Sequence, residues 1–420
     1  MADSTLQSGQ PASSLAATTP QSGEQMVVIG RMLATSGGAL LGSLRSPVRT
    51  SSDLIKAAGV NKDIASRFLA ALAKRDPMAV VYYMPGIESL RRLSRGARSR
   101  AGDAAAIKAF DLAISAFEEF LEDELGGRHA LDAMASAWLP EARERFESAS
   151  RQMAYRAAAN LRGLEAETLI NATFLHPGDD PDRYDSVDVQ GMIGVQRLRP
   201  AVPLMIATFD HRDDTAGRPI LTLDGRPIRS DGSAEGFLPQ FGRGGPPALK
   251  IDHTGSSTFY QLAAEGLGTG TASDLFFGQY SPGLFRRWAR HPGDIAAHME
   301  AIEVPSQRLV MDVLLHPDVW PGLEPELMFY NTCVRGVALP YDRSRDHDRV
   351  DLLDSVRYLG KGLDYCRIAA VPKYRELLQW TCEKRGWDPG CFRVYRCDSR
   401  YPVFGVQYTM AFRLKERPTA

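Results

Sequence analysis

"DLIKAAGVNKDIASRFLAAL", residues 53–72, holds two short apolar-periodic runs hinged at Gly59. The first carries Leu54, Ile55 and Ala58 behind Ser51 and Ser52, either of which can cap a helix by accepting an orphan backbone N–H. Gly59 supplies a turn that a Cβ would resist, and Asn61 is placed to cap a second helix. On that helix Ile64, Ala65, Phe68, Leu69 and Leu72 recur on one side at 3.6-residue spacing. Asp63, Ser66, Arg67, Ala70 and Lys74 face the other way, with Lys62 at the flank. The pattern predicts a helix that packs with one side and offers the other to a partner.

The neighbourhood is basic. Residues 45–100 contain twelve Lys or Arg against four Asp or Glu, although the whole chain of 420 residues has a formal net charge of −1. The excess of acid therefore lies after residue 100. A basic module on an acidic body fits a protein in which one region meets a polyanion and the rest does not.

Upstream, "MVVIGRMLATSGGALLGSL" (26–44) can supply the first helix of a three-helix core. Downstream, Pro77 stops the second helix, and "MAVVYYMPGIESLRRL" reads as a strand, a turn at Pro85-Gly86, and a second strand or short helix. In that order, and in Leu54, Ala58, Gly59, Val60, Ile64, Ala65, Ser66, Arg67, Phe68 and Leu69, residues 25–100 resemble the winged helix-turn-helix of MarR- and IclR-type bacterial transcription regulators. The resemblance implies that the second helix enters the major groove of double-stranded DNA. Asn61, Asp63, Ser66, Arg67 and Ala70 would then meet base edges, and Lys62, Arg67, Lys74, Arg91, Arg92 and Arg95 would meet phosphates. Asp63 is the discordant member: it repels phosphate unless it accepts from a cytosine amino group, and it also sits favourably at a helix N-terminus. A homodimer is expected, because one short helix reads few base pairs.

The expected class is α+β: a disordered tail over 1–24, the winged helix over 25–100, a helical connector over 101–164, and a mixed α+β effector or assembly domain over 165–420. In the last part "VDVQGMIGVQRL", "VPLMIATFDH", "RLVMDVLLHPDVW" and "ELMFYNTCVRGVAL" read as strands. "STFYQLAAEGL" and "VPKYRELLQWTCEKRGW" read as helices, "VDLLDSVRYLGKGLD" as part helix, and "CFRVYRCD" with "VFGVQYTMAFRLKE" as a closing hairpin. No apolar run approaches the ~18 residues that span a bilayer, and no signal-peptide pattern opens the chain, so a cytoplasmic location and no membrane partner are expected. The five cysteines lack CxxC spacing, which fits reduced thiols better than a zinc site.

Signals for chemistry are sparse. "GLGTGTASD" (266–274) lacks the Lys-Ser/Thr of a P-loop and reads as a loop. Neither HExxH nor GxSxG occurs. Two Asp-His pairs, Asp210-His211 and Asp252-His253, are the candidates for an alternative, a metal-assisted or acid–base hydrolase on the C-terminal domain; a protein-interaction adaptor is another. No cofactor is expected. Aromatic residues between 258 and 288 suit a pocket for a small-molecule effector, although such clusters more often form a core.

Overall fold

Thr50 opens the stretch on which the fold turns, so the cap lies one residue ahead of Ser51 and Ser52. Its side chain accepts from Asp53 N, while Asp53 Oδ2 accepts from Thr50 N at 2.9 Å, a reciprocal capping box. The hydrogen bond from the Thr50 hydroxyl, then those from the backbone of Arg49 and Thr50, hold the Asp53 carboxyl below its usual range. Helix α2 runs Ser51–Ala58 and ends at Gly59 in the left-handed conformation, φ 68°. Asn61 caps α3, Lys62–Leu72, its Oδ1 accepting from Ile64 N at 2.9 Å. Ile64, Ala65, Phe68 and Ala71 are buried.

This computed structural model describes residues 15–100, 102–200, 202–210, 220–228, 236–243, 249–254, 257–263 and 266–418. It divides into two compact units, Met1–Phe146 and Glu147–Ala420. Together they are an α+β chain, helical first and dominated by β-sheet afterwards.

Of the tail expected over 1–24, residues 1–14 lie outside the described residues, and 15–24 begin the long helix α1, Leu15–Ser43. Gly23 is buried, and a Cβ there would lie 3.3 Å from the Trp138 ring. The stretch Ser22–Ser43 is long and apolar enough to cross a membrane by length and composition, contrary to the reading of the run lengths. Here its Met26, Ile29, Leu33 and Leu40 lie in the helical core.

There is no wing among the described residues. The stretch read as a strand is helix α4, Pro77–Tyr83, and the segment after Pro85-Gly86 is helix α5, Ile87–Ser99. Asp76 accepts from Met78 N at 2.9 Å and Pro77 takes the first helical turn, where its missing N–H costs nothing. The apolar run "AVVYY" misled because a short buried helix and a buried strand look alike by composition. Ala79, Val80 and Val81 are all buried. In α5 the buried Leu90, Leu93, Ser94 and Ala97 fall at helical spacing. Helix α6, Ala104–Glu119, brings Phe110 edge-on to Phe68, with ring centroids 5.6 Å apart at 72°. Helix α7, Arg128–Ser136, adds Leu131 and Ala135 to the same core. Helix α8 runs Pro140–Arg162.

Two glycines set the helix crossings. A Cβ at Gly30 would run into the backbone carbonyl of Pro77, and one at Gly96 into that of Ala58. Alanine normally stabilises a helix interior over glycine by about 1 kcal/mol. At these positions overpacking, typically about 1–3 kcal/mol, exceeds that gain. Gly30→Ala and Gly96→Ala are therefore expected to lower the thermal midpoint of the helical unit, followed by far-ultraviolet circular dichroism, whereas Gly38→Ala, with open space around it, is not.

In the second unit the chain forms β1 (Leu164–Pro177), β2 (Arg183–Arg197), β3 (Met205–Asp210), β4 (Leu249–Thr254), β5 (Ser257–Leu262) and β6 (Ser273–Arg286). It continues through β7 (Ile295–Ala301), β8 (Ser306–Leu315), β9 (Glu326–Asn331), β10 (Val356–Lys361), α9 (Tyr374–Arg385), β11 (Arg393–Arg400) and β12 (Val406–Arg413). A six-stranded sheet has the order β10-β11-β8-β1-β2-β6, with only the β1–β8 pair parallel, and two three-stranded sheets have the orders β7-β12-β9 and β3-β5-β4. Alternate residues of β1 serve two cores. Leu169 and Leu175 join Met311, Tyr408 and Met410 on one side, while Ile170, Ala172 and Phe174 join Tyr374 and Leu377 of α9 on the other.

Three assignments change. "STFYQL" is strand β5, held between β3 and β4, and "VRYLGK" is strand β10, paired with β11; sheet partners distant in sequence decide both. The closing hairpin does not form: β11 pairs with β10 and β8, and β12 with β7 and β9. Tyr401 (φ 50°) and Gly405 (φ 79°) turn the chain from one sheet to the other, with Tyr401 N donating to Gln307 O at 2.8 Å.

Candidate nucleic-acid interface

The side of α3 opposite its buried stripe is exposed: Asn61, Lys62, Asp63, Ser66, Arg67 and Ala70 all face solvent. Among the described residues no carboxylate ion-pairs with Lys62 or Arg67. Arg67 instead lies close to another cation, Arg128. Burial first, and the Arg67 charge as a lesser contribution, push the Arg128 guanidinium below its usual value, against the opposing pull of Asp132. Arg128 is fixed in place by Met84 O at 3.1 Å and by Tyr82 O. Arg128 has Asp132 as its ion-pair partner at 3.3 Å, so of the two cations Arg67 is the one left open to an incoming anion.

Beside the turn, α5 supplies the second part. A concavity of about 390 Å³ is walled by Gly59, Asn61 and Ile64 on one side and by Arg92, Arg95 and Arg100 on the other. Arg100 lies over Gly59 and donates to Lys56 O. Arg92 and Arg95 reach back to Glu88 at 3.4 and 2.8 Å. The hydrogen bond from Arg95, helped by Arg92, holds the Glu88 carboxyl below its usual range. Exposed pairs of this kind contribute little, so the arginines can exchange Glu88 for a phosphate at small cost.

The structure thus gathers eight of the ten sequence-derived candidates around α3 and its turn: the six on the helix, plus Arg92 and Arg95. Lys74 and Arg91 are committed elsewhere. Lys74 Nζ lies 3.4 Å from Glu141 and 4.2 Å from the Tyr83 ring centroid, and Arg91 pairs with Glu118. Arg100 is not among the ten named candidates, and Arg128 is not marked by the sequence. Arg100 belongs to the run "RRLSRGARSR", whose density of arginine is its signal; nothing local marks Arg128, which reaches the α4 carbonyls from 44 and 46 residues away.

The Asp-His candidates of the second unit lie largely outside the described residues. His211 lies outside the described residues, as do the side chains of Asp210 and His253; Asp252 is exposed on β4. Strand β5 separates β3 from β4, with Asp210 opposite Ser257 and His253 opposite Thr258. "GLGTGTASD" passes through one 3-10 turn, Thr269–Thr271, before Ser273 enters β6.

Neither a protein-family model nor a curated protein matches this chain.

Proposed function

We propose that the helical unit binds double-stranded DNA and that the protein is a transcription regulator whose reader is a helix-turn-helix set among helices, without a wing. The observation that carries this reading is α3. Its exposed face holds Lys62 and Arg67, with no carboxylate ion-paired to either among the described residues, beside the concavity lined by Arg92, Arg95 and Arg100. Ser66, Arg67 and Ala70 are placed to meet base edges, with Asn61 at the entrance of the helix. The arginines of α5 take phosphates on the flank. The Glu147–Ala420 unit serves as the effector or assembly domain, and pairing of two copies supplies two half-sites.

A random duplex library passed over the immobilised full chain tests the reading. Repeated selection is expected to enrich a short motif that binds at least about 10³-fold more tightly than unselected duplex. A library that stays random, bound no more tightly than a neutral protein binds it, would point to an adaptor instead.

A further inference from the structure

Glu300, at the end of β7, is a carboxylate without a cation. Its Oε2 accepts from Asn171 Nδ2 at 2.6 Å, and among the described residues no basic side chain pairs with it. Asn171 is 1 % exposed, and its Oδ1 has no hydrogen-bond donor. Together with Glu300, Gln190 and Glu303 wall a cavity of about 310 Å³. Arg162, Leu164, Leu169, Met192 and Met205 are among the rest of its lining, the Arg162 guanidinium 5.2 Å from the Phe404 ring. A buried polar group without a partner, such as Asn171 Oδ1, is costly.

We propose that this cavity binds a small organic cation, an ammonium group on a short apolar body, with Glu300 as its counter-charge. The ammonium has donors for Glu300 and for the Gln190 carbonyl, and the apolar body lies on Leu169 and Met192. The volume suits a group of this size, at the low end of small-molecule sites. Burial, opposed by the Asn171 hydrogen bond and reinforced by Glu303, pushes the Glu300 carboxyl up to about 7. A proton therefore competes with the ligand near neutrality. The other charged or titratable groups around it are Glu303, Arg162 and, one strand step inward, Asp188 with His298. Thr173 Oγ1 lies between that last pair, 2.8 Å from His298 Nδ1 and hydrogen-bonded to Asp188. Burial holds the His298 imidazole below its usual value, against the opposing charge of Asp188.

The test titrates the full chain at pH 8 with n-butylammonium and cyclohexylammonium chloride, and with n-butanol and cyclohexanol as neutral counterparts, followed by saturation-transfer NMR. At least one ammonium probe is expected to saturate at least about tenfold more tightly than its alcohol, and Glu300→Gln is expected to abolish that preference. In the wild type, ammonium affinity should fall about tenfold for each unit below pH 7, because the protonated carboxyl carries no charge; this profile decides the matter if Glu300→Gln does not fold. Alcohols binding as well as ammonium ions, a preference that survives Glu300→Gln, a flat pH profile, or no saturable binding by either ammonium probe would each overturn the proposal. The site lies wholly within Glu147–Ala420, so its failure would leave the DNA reading of the helical unit intact.

Discussion

Alanine at both Lys62 and Arg67 is expected to weaken duplex binding and to reduce the slope of log affinity against log salt by about two. Each cation that neutralises a phosphate releases close to one condensed counterion, and the slope counts those contacts. Lys62 and Arg67 are exposed and free of ion pairs with carboxylates among the described residues, so nothing in the protein takes up their charge when DNA is absent. Arg67 is also placed to reach a base edge, and its loss alone is expected to cost about 1–3 kcal/mol on a selected site. Lys74→Ala and Arg91→Ala give the contrast: neither side chain lines the concavity beside α3, each reaching a carboxylate elsewhere, Glu141 and Glu118, and the slope should move less. Fluorescence anisotropy at four or five salt concentrations measures all of these. Equal effects from both pairs of residues would mean that α3 has no special part in the contact.

The largest stability effect is expected in the second unit, at Asp312. This carboxylate is fully buried and receives Arg396 Nε and Nη2, both at 2.7 Å, and the Tyr374 hydroxyl at 2.6 Å. Arg396 is itself buried and gives its Nη1 to Arg367 O at 3.1 Å. Burial, then the Asp312 charge, raises the Tyr374 phenol well above its usual value, so it remains a donor at any physiological pH. Removing one member of such a pair leaves a charge stranded in the core, at about 3–5 kcal/mol, while exchanging both for apolar residues of similar volume is often neutral. Asp312→Ala is therefore expected to take away much of a typical domain's ~5–15 kcal/mol, and Asp312→Leu with Arg396→Met to be markedly milder than either single change. Urea unfolding of the four proteins of that cycle supplies the comparison. Additive losses would show that the two residues do not act as a pair.

Local regularity explains what could be read from the chain. Helix α3 was legible because its cap, its apolar stripe and its turn glycine all lie within about a dozen residues, and each obeys a short-range rule. Helix α9 was legible from its buried stripe of Leu377, Leu378 and Cys382 and from Gly386, which ends it. The wing was misread because β-branched and aromatic residues in α4 pack on every side of a short helix, which removes the alternation that separates helix from strand. Strand β5 was taken for a helix because its neighbours β3 and β4 decide its state. The cavity of the second unit left no mark at all. Glu300 meets Asn171 across 129 positions and Asp312 meets Arg396 across 84, and no window of sequence holds both partners.

The most direct test puts a photo-crosslinking amino acid at Ser66, on the exposed face of α3 midway between Lys62 and Ala70. Irradiated with a selected duplex, the full chain is expected to form a covalent protein–DNA adduct that disappears at high salt together with binding. A protein that binds the duplex and yet gives no adduct from Ser66 would contradict the account, because the DNA would then be held by some other surface.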